Sequence, residues 1–182
     1  MQKIAPHLWF ADKAEEAARF YASIFPDSRV DRVTASPAET PSGPAGSVTM
    51  VDFTLFGQQF MAISAGPLDQ FNHAISFVVN CKDQAEVDRY WDTLLDGGGA
   101  EQCGWLKDRY GLSWQIVPTV LVDMVADPNR DKAKRVMEAM LKMVKLDIAT
   151  LQAAYDGRSP RSRVHSDSKN SVFFVDVDSR DC

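Results

Sequence analysis

Cysteine is scarce in this chain, and its scarcity narrows the chemistry first. The 182 residues hold three, Cys81, Cys103 and Cys182, with no CxxC pair and no zinc-ribbon spacing. Reduced thiols are the expectation, with Cys81 and Cys103 partly buried, and no cysteine has an activating base beside it in sequence. A basic surplus is missing too. Twenty Lys and Arg stand against 25 Asp and Glu, a net charge of −5. Such a surface does not hold a phosphate backbone, so nucleic acid is not an expected partner. No apolar run is long enough to span a bilayer, so no membrane partner is expected. The opening stretch, MQKIAPHLWFADKAEE, lacks the apolar core and cleavage site of a secretion signal. A cytoplasmic location is expected.

What is present is a pattern that occurs twice. Ile4 to Phe10 is a short apolar run of strand formers, and Asp12-Lys13-Ala14-Glu15 reads as a helix start with Asp12 as the cap. Ala14, Ala17, Ala18, Tyr21 and Phe25 then recur at helical spacing, and Pro26 ends the run. Strands are predicted over Ser28 to Ala35, Val48 to Leu55 and Gln59 to Ser64, the last two joined at Phe56-Gly57-Gln58. A Pro-, Gly- and Ser-rich loop, residues 36–46, separates the first strand of this group from the second. The pattern restarts at Ala74 to Asn80, a predicted strand, and Asp83-Gln84-Ala85-Glu86 repeats the D-x-A-E helix start. Val87, Tyr90, Trp91, Leu94 and Leu95 line that helix, and Gly97 to Gly99 stop it. Gly111 to Ile116 then matches Gly57 to Ala62, a turn glycine followed three residues later by an aromatic. The period is about seventy residues, longer than a solenoid repeat. One such unit has open sheet edges and one uncovered face, which a second unit can help to bury.

Four segments result: a first module over 1–66, a second over 67–122, C-terminal helices over 123–157 and a polar tail over 158–182. Within the helices, Asp127-Pro128 reads as a cap and first position, and Val136, Met137, Met140, Leu141 and Val144 share one face. The tail contains one strand-prone run, Val172 to Val177.

The phrases IAPHLWFADKAEEAARFYASIFPDS, GPLDQFNHAISFVV, DRYWDTLLDGGGAEQCGWLKDRYGLSWQIVP and MLKMVKLDIATLQAAYDG resemble the PhnB-like branch of the vicinal-oxygen-chelate superfamily. That branch carries the label 3-demethylubiquinone-9 3-methyltransferase-like and is grouped with glyoxalase, bleomycin-resistance and dioxygenase proteins. The resemblance covers residues 3 to 157. It implies an α+β fold of tandem β-α-β-β-β modules forming a curved mixed sheet, with C-terminal helices, and a homodimer whose clefts bind a small molecule. It does not by itself imply a reaction.

Metal-using relatives place His and Glu or Gln on the first and fourth strands of each module, where an open coordination site lets a divalent ion polarise a substrate oxygen. His73, at the start of the second module's first strand, and Gln115, on its fourth, occupy such places. The first module offers Met61 opposite Gln115, a poor ligand for a hard or borderline metal, and Gln2 opposite His73. Two functional readings follow. One is a small-molecule binder without a complete metal site, its ligand in the cleft between the two sheets, lined by His73, Gln115, Met61 and Trp105. The alternative is a glyoxalase- or dioxygenase-type enzyme using Zn, Ni, Mn or Fe on a small oxygenated substrate. Methyl transfer has no support in the residues: the glycine cluster follows a helix, where an adenosylmethionine or nucleotide loop would join a strand to its helix. Ser64 and Ser113 show no neighbouring base, so a nucleophilic triad is not expected. Lys107-Asp108-Arg109 reads as a solvated turn.

Overall fold

The computed structural model describes residues 2–67 and 69–158. The first module runs β1 (His7–Phe10), α1 (Ala14–Ile24), β2 (Arg29–Ala35), β3 (Thr49–Leu55) and β4 (Gln58–Ser64). The second runs β5 (Phe77–Cys81), α2 (Gln84–Leu95), β6 (Gly99–Ala100), β7 (Trp105–Lys107) and β8 (Ser113–Pro118). Three helices follow: α3 (Thr119–Ala126), α4 (Arg130–Met140) and α5 (Ile148–Tyr155). The modules form two four-stranded mixed sheets with the same topology, β1-β4-β3-β2 and β5-β8-β7-β6.

The duplication holds residue by residue. His7 pairs with Met61 in the parallel β1–β4 ladder, and Val78 pairs with Gln115 in the parallel β5–β8 ladder. Met61 and Gln115 are therefore equivalent, as are His7 and Val78. Leu8 and Phe10 turn inward on β1, and Val79 and Cys81 do so on β5. Strand alternation then assigns every neighbour to an inner or an outer face.

The inner faces of both sheets and both module helices build one core. Leu8, Tyr21, Phe53 and Phe60 from the first module pack with Tyr90, Leu106, Trp114 and Ile116 from the second. The ring of Phe25 lies 5.3 Å from Tyr90 and 5.7 Å from Trp114, and Phe60 lies 5.3 Å from Phe77. The helices and rings fill the space between the sheets, so the cleft expected there is occupied by core side chains and the open faces are the outer ones. A smaller core of Leu121, Met124, Val136, Leu146 and Leu151 joins the C-terminal helices. That block is tied to the second module by main chain, with Cys103 N–H and Gly104 N–H each donating at 2.8 Å to the carbonyls of Met143 and Val144. Gly104 takes φ +83°, and a Cβ there would meet the Ile116 carbonyl oxygen at 3.0 Å.

Several local expectations are corrected. Helix α1 begins after Lys13, which makes no side-chain cap; the free Ala14 N–H instead donates to Ser64 Oγ at 2.9 Å, so a strand hydroxyl does the work expected of Asp12. The second D-x-A-E does cap as read, Asp83 accepting from Glu86 N–H at 2.9 Å. Helix α3 follows directly on β8, and α4 is capped by Asn129, whose side chain accepts from Lys132 N–H. Asp127 lies before that helix and accepts from the Asn129 N–H and the Tyr155 hydroxyl. The run Val172 to Val177 lies outside the described residues.

Candidate functional site

Each module presents one open sheet face, and the ladders place its side chains in rows. On the first sheet one row reads His7, Met61, Asp52, Arg32 across β1, β4, β3 and β2. The Arg32 Nε–H donates to Asp52 at 2.8 Å, and Met61 is 43% exposed. A cavity of about 560 Å³ opens here, lined by Gln2, Asp31, Arg32, Asp52, Gln59 and Met61 among others. The matching row of the second sheet reads Val78, Gln115, Trp105, and the main chain of Glu101 bonds Trp105 to extend it.

Three of the four predicted residues meet on that second face. Gln115 and Trp105 are direct ladder partners. His73 reaches over them from the loop before β5: its ring lies 5.9 Å from the Trp105 ring, and its Nε2 is 2.7 Å from Glu101 Oε2. The strand expected to begin at Ala74 begins at Phe77, so His73 stands on the incoming loop rather than on the strand. Gln115 spends a side-chain N–H on Ser76 Oγ at 2.9 Å, and its carbonyl oxygen accepts no hydrogen bond among the described residues. Met61 belongs to the equivalent position on the other sheet, as the repeat register requires. The same register places Gln2 opposite His73, each five residues before the equivalent pair His7 and Val78.

A resident divalent metal is a poor match for these groups. A tetrahedral or octahedral ion wants three or more convergent donors. Here the one imidazole is turned onto Glu101, and the ladder neighbours of Gln115 are Val78 and Trp105, which offer no ligating atom. Among the described residues, no group of three His, Cys, Asp or Glu is placed to hold an ion. Cysteine chemistry is likewise quiet, because burial pushes the Cys81 thiol up to about 12, with Glu86 and Asp83 adding to the effect.

Residues 2–117 match the family model described as 3-demethylubiquinone-9 3-methyltransferase. The chain belongs to that family, the PhnB-like branch of the vicinal-oxygen-chelate superfamily. A PhnB protein from Bacillus cereus, which carries the same methyltransferase name, is 35% identical over 65% of this chain and all of its own, with a TM-score of 0.57. A protein of known structure from Pseudomonas aeruginosa is 20% identical over 65% of this chain and 98% of its own, TM-score 0.50. The fosfomycin resistance protein FosX from Listeria monocytogenes, 14% identical over 67% of this chain and 94% of its own, also has a TM-score of 0.50. The last two likenesses show the shared fold. No curated protein matches the chain. The Gly97 to Gly99 cluster of this PhnB-like chain follows α2 and runs into β6, whose first residue is Gly99.

One residue was misjudged from sequence. Asp108, expected in a solvated turn, is 3% exposed. It accepts from the Tyr21 hydroxyl at 2.7 Å, from Trp114 Nε1–H at 2.8 Å and from the N–H groups of Tyr110 and Leu112 at 2.8 and 3.1 Å. Burial lifts its carboxyl above the ordinary carboxylate range, and these four donors pull the other way. The Tyr21 hydroxyl is lifted as well, first by burial and then by Asp108. Asp108 thus bolts helix α1 of one module to the hairpin of the other, the hairpin that carries Trp105 and Gln115. The clue in the sequence was its position four residues ahead of Leu112, with the buried Trp114 two further on. Glu101 and Ser76 were missed because their roles depend on the fold bringing distant strands together.

Proposed function

We propose that this PhnB-like protein binds a small molecule on its outer sheet faces without a resident metal. Two copies of the chain complete each cleft by laying the first-module face of one over the second-module face of the other. The observation that carries this reading is the pair of open rows. They combine exposed apolar side chains with polar groups held in place, the composition of a small-molecule pocket. Met61 and Val78 are 43% and 50% exposed on these faces, and β1 and β5 each end a sheet with one unpaired edge. Within one chain Met61 and the group of His73, Trp105 and Gln115 lie on different sheets; pairing of two chains brings them into one pocket. Trp105 supplies a flat stacking surface and the Gln115 carbonyl an acceptor, with His73 held by Glu101 at the rim. Such a pocket suits a neutral, partly aromatic compound bearing a hydrogen-bond donor. Methyl transfer is no part of this reading.

Two measurements test it together. Light scattering on the purified protein should give twice the chain mass, and elemental analysis after growth in medium supplemented with Zn, Ni, Mn and Fe should give well under one ion per chain. A monomer overturns the shared cleft. One ion per chain, lost in His73→Ala, overturns the metal-free reading and moves the assignment to an enzyme.

A further inference from the structure

Beside Trp105 and Gln115 stands an imidazole with a carboxylate partner, and the internal repeat does not require that pair. In the first module Gln2 and Arg32 hold the places that His73 and Glu101 hold in the second. The second-module pair is well formed. His73 Nε2 lies 2.7 Å from Glu101 Oε2, with side chains 53% and 29% exposed. An exposed pair of this kind adds little stability. What it does is fix the ring. A carboxylate only accepts hydrogen bonds, so Nε2 carries the proton and Nδ1 keeps its lone pair. Nδ1 makes no hydrogen bond among the described residues. Main-chain bonds hold both partners in place. Asn72 Oδ1 accepts from the Ala74 N–H at 2.8 Å, which turns the loop at His73, and the Glu101 N–H donates to the Trp105 carbonyl at 2.8 Å. His73 is therefore an oriented base with one nitrogen free, its ring 5.9 Å from that of Trp105.

The polar groups next to this base are hydrogen-bond donors. Gln115 has two side-chain N–H groups and spends one on Ser76 Oγ, while Ser76 keeps its own O–H. The second Gln115 N–H and the Ser76 O–H meet no acceptor among the described residues. A primary amide open at both its carbonyl and its N–H fits a ligand with a hydroxyl and a carbonyl on adjacent carbons. The ligand hydroxyl donates to the Gln115 carbonyl, and the ligand carbonyl accepts from the N–H. A base beside such donors suits removal of a proton from the carbon next to a carbonyl, because the charge leaving that carbon collects on the oxygen.

We propose that the outer-face cleft is a metal-free proton-transfer site for neutral aromatic α-hydroxy ketones. His73 is the base, Glu101 its positioning residue, and Gln115 and Ser76 the donors to the developing oxyanion. The precondition is that this cleft holds the ligand, as in the binding function proposed for it. The ketone's ring lies on Trp105. The α C–H bond breaks, its proton passes to His73 Nδ1 and its electron pair forms the carbon–carbon double bond of an enediolate. The former carbonyl π pair moves onto the oxygen held by the donors. Glu101 offsets the positive charge on the imidazole. Return of the proton to the same carbon restores the ketone. Delivery to the neighbouring carbon, with the hydroxyl proton passing to the first oxygen, gives the isomeric α-hydroxy aldehyde. Nothing is oxidised or reduced overall.

The probe is α-hydroxyacetophenone with the full chain in deuterium oxide, with and without EDTA, and proton NMR follows loss of the α-methylene signal. A parallel titration in ordinary water reads binding at the Trp105 indole N–H and the Met61 methyl. The parent should exchange the α-protons at least about 100-fold faster than His73→Ala does, at the same rate with EDTA as without. Glu101→Gln keeps an acceptor for Nε2 and removes the charge. It should slow exchange at least about tenfold and leave the affinity read at Trp105 unchanged, a split that a merely structural role would not give. Binding at Trp105 and Met61 with exchange no faster than in buffer overturns the proton-transfer role and leaves the binding cleft standing. Exchange that survives His73→Ala, that EDTA abolishes, or that is unchanged in Glu101→Gln overturns it too. A probe that neither moves Trp105 nor exchanges counts against both the cleft and its chemistry.

Discussion

The two modules are built to one plan inward and to two different plans outward. Inward, the equivalent pairs are Leu8 with Val79, Phe10 with Cys81, Phe60 with Trp114 and Ala62 with Ile116, all buried and apolar. Outward, His7, Met61 and Asp52 stand where the second module has Val78, Gln115 and Trp105. The shared core limits what the inward positions can be, whereas the outer faces are free to diverge. The hairpins differ as well. Asp108 stands just beyond Lys107, at the place that Leu55 holds beyond Thr54, and the second hairpin has one more residue between the equivalent pairs, Lys107 with Ser113 against Thr54 with Gln59. A buried carboxyl group with four donors has thus taken the place of an apolar side chain, and among the described residues it is the one buried acidic side chain.

Removing that group should have the largest effect. Asp108→Ala leaves the Tyr21 hydroxyl and the Trp114 indole N–H without a partner, and urea denaturation should show a loss of about 3–5 kcal/mol. Leu55→Ala, the matching change in the first module, should cost about 2–5 kcal/mol through a cavity alone. A loss under about 1 kcal/mol for Asp108→Ala would show that the seam does not depend on it. Next comes Gly98→Ala. A Cβ there would fall 2.1 Å from the Lys107 carbonyl oxygen, a clash with backbone rather than with a flexible side chain. An overpacking cost of about 2–3 kcal/mol is expected, read as a lowered melting temperature.

Acid titration compares inner and outer carboxylates. Asp88 is held below the ordinary carboxylate range by its hydrogen bond with Lys145, 2.8 Å away, and by Gln84. A lowered folded-state pKa means stability that is present above the ordinary carboxylate pKa and lost as pH falls through that range. Asp108, raised by burial, has the opposite sign: its contribution is fullest at low pH and declines as pH rises through its elevated value. Asp88→Asn should therefore flatten the acid-side fall in stability between about pH 5 and 3, and an unchanged profile would contradict the pairing. The smallest effects belong to the outer rows. His73→Ala breaks an exposed pair with Glu101 and should cost under about 1 kcal/mol, and Met61→Gln, which copies the second module onto the first, should change stability by about 0.5 kcal/mol or less.

The duplication was legible because strand alternation and the D-x-A-E helix start occur twice in the residues themselves. The topology followed, since strands joined by a crossover helix or a tight hairpin have few ways to pair. The repeat register matched Met61 with Gln115, whereas His73 and Gln115 were picked out by the family resemblance rather than by spacing. The caps of α1 and α4 were not, because Ser64 and Asn129 win by geometry that local pattern does not encode. Asp108 was missed for a general reason: a charged turn triplet looks solvated until another segment, here Tyr21 on α1, is folded over it.

The claim at the centre of this account is that the outer faces hold the ligand. It is tested most directly by screening neutral aromatic fragments against protein labelled at methionine methyl groups and tryptophan indole nitrogens. The account predicts that hits move the Met61 methyl and the Trp105 indole N–H together. Hits that move Met137 on α4 or Met143 in the turn after it, with Met61 and Trp105 unmoved, would contradict it.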